Sequence, residues 1–171
     1  MTNKNFLQAI FASFTTLLLI IPQTTHAEAR VGDVFGDWVY ECRALAENKT
    51  ACSLSQTIMS KSQNKRLVKF NLGRNEKTKA INLTALLPLG IHLPSGVNFS
   101  IDQGKTYQFT LKTCFQLGCV ATYPVDTSFM QALQNGQKLN INFTGEGADA
   151  PIKISGSLKG LAEGIKATNL H

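Results

Sequence analysis

The residues whose types could do chemistry are few, and the cysteines come first. Cys42 and Cys52 are separated by nine residues, and Cys114 and Cys119 by four. A redox site usually wants Cys-x-x-Cys with a lowered thiol pKa, and neither pair has that spacing. A zinc site wants paired short spacings or histidines close by, yet His92 is the only histidine between the two pairs. An even number of cysteines in an exported chain reads instead as disulfides. Four cysteines allow three connectivities. The local pairs Cys42–Cys52 and Cys114–Cys119 are preferred, because each flanks an expected hairpin turn.

The remaining chemistry is sparse. A nucleophile–histidine site downstream of residue 27 would have to use His92, since the other histidine there, His171, is terminal. His92 lies in a turn-rich stretch, Pro88-Leu89-Gly90-Ile91-His92-Leu93-Pro94, where a surface loop residue is the simpler reading. The eleven carboxylates are scattered and no spacing singles out an acid/base pair. No Walker, dinucleotide, His-Glu-x-x-His or EF-hand pattern occurs. No catalytic residue, cofactor or metal is therefore assigned, and the chain is read as a non-enzyme. A hydrolase using an unrecognised carboxylate or His92 is the enzymatic alternative.

One charged stretch stands out. Residues 61–79 hold Lys61, Lys65, Arg66, Lys69, Arg74, Lys77 and Lys79 against a single acid, Glu76, a net +6. Lysines on a solvated hairpin can simply blunt an edge strand. The sharper expectation is contact with an anionic surface, such as lipopolysaccharide, phospholipid headgroups or host glycans, which salt should screen.

The elements that must position these residues begin after an address. Phe6–Ile21 is free of charge and is followed by Pro22, and Thr25-His26-Ala27 offers small residues for cleavage. This is a secretory signal peptide over residues 1–27, too short and too polar for a membrane span. Residues 28–171 are then one domain of 144 residues with charge +5, from sixteen basic and eleven acidic residues, large enough for a real core. A periplasmic or envelope-associated location follows, and nucleic acid is a poor partner for an exported chain.

That domain reads as short strands. Trp38, Tyr40 and Cys42 alternate with Val39, Glu41 and Arg43, the period of a half-buried strand. Similar alternation recurs over Ala51–Ser60, Arg66–Leu72, Ala80–Leu87, Val97–Asp102, Tyr107–Lys112, Gly118–Val125, Gln137–Thr144 and Pro151–Leu158. Asp126 can cap a helix over Thr127–Asn135 that Gly136 stops. Leu158, Leu161, Ala162 and Ile165 sit at helical spacing near the end. The expected fold is all-β, an antiparallel sandwich of about nine strands with one or two short helices. A membrane barrel would need an apolar outer band, whereas Lys69, Gln108, Thr110, Lys112, Lys138, Asn140 and Asn142 fall on the outward phase.

Several stretches, taken in order, resemble the invasion-associated locus B family of exported bacterial proteins. They are Phe35-Gly36-Asp37-Trp38 with Cys42, Ala51-Cys52-Ser53-Leu54-Ser55-Gln56, Leu87-Pro88-Leu89-Gly90-Ile91 with Pro94-Ser95-Gly96-Val97 and Ile101-Asp102, Cys114 with Gly118-Cys119, and Ser157-Leu158-Lys159-Gly160-Leu161. The resemblance spans about residues 33–166. It implies a periplasmic or envelope all-β protein that acts by binding, in host-cell invasion or in envelope function. It carries no enzymatic motif. An accessory subunit of an envelope or secretion assembly is the alternative role.

Overall fold

The structure is a computed structural model that describes residues 28–45 and 49–170. The expected signal peptide lies outside the described residues. Ten strands form: β1 (Val34–Phe35), β2 (Trp38–Ala44), β3 (Thr50–Met59), β4 (Arg66–Arg74), β5 (Ile81–Leu87), β6 (Val97–Ile101), β7 (Thr106–Phe115), β8 (Gly118–Pro124), β9 (Lys138–Thr144) and β10 (Pro151–Ser157). Two α-helices, α1 (Thr127–Asn135) and α2 (Leu161–Ala167), and one 3-10 turn, Leu93–Ser95, complete the elements among the described residues. Nine of these strands lie where the alternation predicts them. The tenth, β1, is two residues long and offers no periodicity to read.

All pairings are antiparallel, in the order β1-β2-β3-β4-β5-β8-β7-β6-β9-β10. The ladder doubles over at β7. Thr106–Phe109 of that strand pair with β6, while Thr110–Phe115 pair with β8. One long strand thus belongs to both layers of the sandwich. Side chains alternate across the pleat, so Val68, Phe70 and Leu72 of β4 face Leu83, Ala85 and Leu87 of β5 inward, all fully buried. Val97, Phe99, Leu139 and Ile141 supply the opposing layer.

Both helices plug the sandwich. Asp126 accepts a hydrogen bond from the Phe129 amide (2.7 Å), as an N-cap should, and Phe129 and Leu133 are buried. Phe129 joins Phe99, Tyr107 and Tyr123 in a ring cluster with centroids 5.0–5.5 Å apart. Helix α2 starts at Leu161, three residues later than its apolar spacing suggests. Leu158 is kept out of the helix by its amide donating to the Gln137 carbonyl (2.9 Å), and Gly160 turns the chain at φ +83°. Leu161, Gly164 and Ile165 then pack inward against β1, β2 and β3.

Candidate functional site

The cysteines form two cross-strand disulfides, Cys42–Cys52 between β2 and β3 and Cys114–Cys119 between β7 and β8. In each pair the two residues stand directly opposite in the ladder. No free cysteine occurs among the described residues.

Three of the motif stretches meet in one place. Gln56, buried on β3, reaches across to the end of β10: its Nε2 donates to the Ser157 carbonyl (2.9 Å) and the Asp37 carbonyl (3.1 Å), and its Oε1 accepts from the Ser157 amide (2.8 Å). Trp38 is fully buried, and its Nε1 donates to the same Ser157 carbonyl (2.8 Å). The Asp37 amide donates to the Lys159 carbonyl (3.1 Å). Backbones approach so closely here that a Cβ on Gly36 would lie 2.4 Å from the Lys159 oxygen, and one on Gly160 2.2 Å from the Phe35 oxygen. Both glycines also have positive φ. This clasp ties the first strands to the last and leaves no orphaned polar side chain among the described residues.

The outer face of the larger layer is different in kind. It forms a trough of about 1150 Å³ across β2, β3, β4, β5, β8 and β7. Asn71, Thr84, Thr122 and Thr110 stand side by side on β4, β5, β8 and β7, a row spanning three inter-strand spacings, about 14 Å. Around it are Arg43, Lys69, Arg74 and Lys112 against Glu41, four cations to one acid, a net +3. A β-bulge between Leu111 and Thr113 sets Lys112 at the trough. Lys69 pairs with Glu41, and Arg74 is held by the Lys79 and Asn169 carbonyls (3.0 and 3.1 Å). Arg43 and Lys112 are exposed and form no ion pair with a described acid. Chemically, the row offers hydroxyl and amide partners, and the rim offers positive charge.

The basic stretch read from the sequence is therefore distributed along β4 and not gathered in one patch. Lys69 and Arg74 line the trough. Lys61 and Lys65 sit on the exposed β3–β4 turn, and the Arg66 guanidinium donates to the Leu117 carbonyl. Lys77 and Lys79 occupy the turn at the other end of β4, where Lys79 pairs with Glu76 (3.3 Å). Sequence reasoning missed Arg43, Asn71 and Lys112 as a set. The available signal was the outward phase of β4, β5, β7 and β8, which is rich in Asn and Thr where a merely solvated face would carry mixed charges.

His92 is a half-buried loop residue whose Nδ1 lies 2.7 Å from the Ser95 hydroxyl. Among the described residues no three His, Cys, Asp or Glu side chains cluster as a metal site. A smaller hollow of about 270 Å³ lies beside Asp102 and Tyr107. The Asp102 carboxylate there is occupied by the Gln137 and Lys138 amides. Two groups elsewhere are perturbed. Burial among the rings, then the nearby Asp126 carboxylate and Tyr107, raise the Tyr123 phenol above its usual value. The Phe129 amide and then the Ser128 hydroxyl hold the Asp126 carboxyl below its usual range.

Fold and site together define a class: a disulfide-stapled antiparallel sandwich with a polar clasp inside and an open, basic trough outside. Residues 38–169 match the family described as "Invasion associated locus B (IalB) protein", and the chain belongs to that family. It is 24% identical over 155 residues to an invasion protein B homolog of Brucella abortus, covering 91% of this chain and 88% of the relative. It is 26% identical over 114 residues to invasion protein B of Bartonella bacilliformis, covering 66% and 59%. The crystal structure of invasion associated protein b from Bartonella henselae superposes with a TM-score of 0.69 at 20% identity, covering 81% of this chain and 94% of that one. Paired disulfides and these relatives suggest an exported, non-cytoplasmic protein.

Proposed function

We propose that this protein is exported by a signal peptide over residues 1–27 to the periplasm or envelope. There it works without enzymatic chemistry, by holding an extended anionic saccharide of the envelope or of a host surface. The observation that carries this reading is the row Asn71–Thr84–Thr122–Thr110 bordered by Arg43, Lys69 and Lys112. Neutral hydroxyl and amide side chains suit a polyhydroxylated backbone, and cations suit its phosphates or carboxylates. A trough open along its length accepts a polymer more readily than a small molecule. The relatives are named invasion proteins, which supports a host surface as the setting for such binding.

The test is binding of the oxidised protein to lipopolysaccharide and to sulfated glycans at two ionic strengths. The expected result is salt-sensitive binding that an Arg43→Glu/Lys112→Glu double variant weakens by about tenfold or more, roughly 1.4 kcal/mol. Equal binding by both proteins, or none by either, overturns the reading.

A further inference from the structure

A second surface lies at the end of the sandwich where β3 hands over to β4 and β7 to β8; Lys112 and Phe115 border the trough as well, whereas Lys61, Lys65 and Leu117 do not. Met59 and Arg66 are opposite each other in the ladder, and Arg66 is tied to the Leu117 carbonyl. Gly118 sits against the end of β5, because a Cβ there would lie 2.0 Å from the Leu87 oxygen. Three segments, residues 59–66, 85–95 and 112–119, are thereby gathered at one end. Their most exposed apolar side chains are Leu117 (65%), Leu89 (55%), Leu93 (50%), Phe115 (46%) and Met59 (44%). Their charged residues are Lys61, Lys65, Arg66 and Lys112, with no Asp or Glu in any of the three. Glu146 lies close by, its amide bonding the Gly90 carbonyl beyond Leu89 (2.7 Å). The hairpin that carries Phe115 and Leu117 is cross-linked at its base by Cys114–Cys119.

We infer that this end is a membrane-docking tip, in which Phe115 and Leu117 enter the interfacial region of an anionic phospholipid bilayer while Lys61, Lys65 and Arg66 meet the headgroups. Exposed apolar side chains in a predominantly cationic setting match that environment: the acyl boundary takes the apolar groups, and anionic lipid takes the charge. A neutral bilayer would satisfy only half of it. The disulfide holds the hairpin in its inserting shape, so little ordering is needed on contact.

The experiment uses the full domain with both disulfides formed. Vesicle flotation compares phosphatidylcholine alone with phosphatidylcholine mixed with phosphatidylglycerol, at low and high salt. Wild type should float with the anionic vesicles only, and salt should release part of it. Phe115→Ser/Leu117→Ser and, separately, Lys61→Glu/Lys65→Glu should each weaken partitioning by about tenfold. A Leu117→Trp variant should be quenched by lipids brominated on the acyl chains, while buried Trp38 should not. These exposed sites are compatible with folding, which unchanged thermal unfolding of each variant checks. Binding that survives loss of Phe115 and Leu117 overturns insertion. Absence of binding to anionic vesicles overturns docking altogether. Sedimentation as a dimer that the Phe115→Ser/Leu117→Ser variant dissolves, without vesicle binding, assigns the tip to a second copy of the chain instead.

Discussion

The clasp and the trough are both built from polar groups on strands, yet they differ in what those groups still have to give. At the clasp, Gln56 spends its amide on backbone groups of Ser157 and Asp37, under a fully buried Trp38. At the trough, Arg43 and Lys112 point to solvent and the Asn and Thr row is open. Polar groups satisfied in a dry place specify structure, and polar groups left open in a wet one are available to a ligand. The stretches that carry the family resemblance concentrate at the clasp. Family likeness therefore accounts for the architecture better than for the ligand.

Four perturbations would break or sharpen this contrast. The largest effect is expected from Trp38→Ala, which empties a core site and removes the Nε1 donor. Denaturant unfolding should register a loss of about 3–5 kcal/mol, with no direct effect on the trough row. Next, Cys42→Ala/Cys52→Ala should cost about 3 kcal/mol by the chain-entropy relation for a loop of this size. It should also loosen the trough wall that this disulfide lines, so ligand affinity and stability should fall together.

Gln56→Ala should destabilise by about 2 kcal/mol, because the half-buried Ser157 amide loses its acceptor and the Gln56 contacts to the Ser157 and Asp37 carbonyls go with it. Its binding at the trough should stay near wild type. The smallest stability effect belongs to Arg43→Glu/Lys112→Glu, expected within about 0.5 kcal/mol of wild type although its binding drops. A large stability loss in that variant would erase the distinction between the two regions.

A pH dependence separates a third, purely structural group. Asp126 is held below its unfolded-state value by the Phe129 amide. A depressed carboxylate contributes stability above the unfolded value, and that contribution fades as pH falls through the folded one. Thermal melts taken downward in pH should show an acid loss that is shallower in Asp126→Ala, while melts near neutrality should rank that variant below wild type.

Much of the fold was legible because two-residue periodicity survives in nearly every strand. Val68, Phe70 and Leu72 against Lys69 and Asn71 leave no other reading of β4. Asp126 and Gly136 bracket α1 by the chemistry of helix ends. What escaped was set by tertiary placement. A two-residue strand such as β1 has no period. The start of α2 is decided by Gly160 and by the Leu158 amide on Gln137, a partner twenty-one residues upstream. The trough escaped because its members come from strands far apart in the chain, and only the β5–β8 pairing brings Thr84 beside Thr122. The seven cations of residues 61–79 looked like one patch because they are contiguous in sequence. A strand of nine residues separates their turns by roughly 30 Å.

The clasp also imposes a clock. Trp38 and its acceptor Ser157 are 119 residues apart. At synthesis rates of about 5–20 residues per second, the tryptophan waits roughly 6–24 s for its partner to be made. Throughout that interval the Gln56 side chain on β3 is without its partner, the Ser157 backbone at the end of β10. Whatever escorts the nascent chain must keep those early strands from pairing elsewhere until nearly the last turn of the polypeptide has arrived.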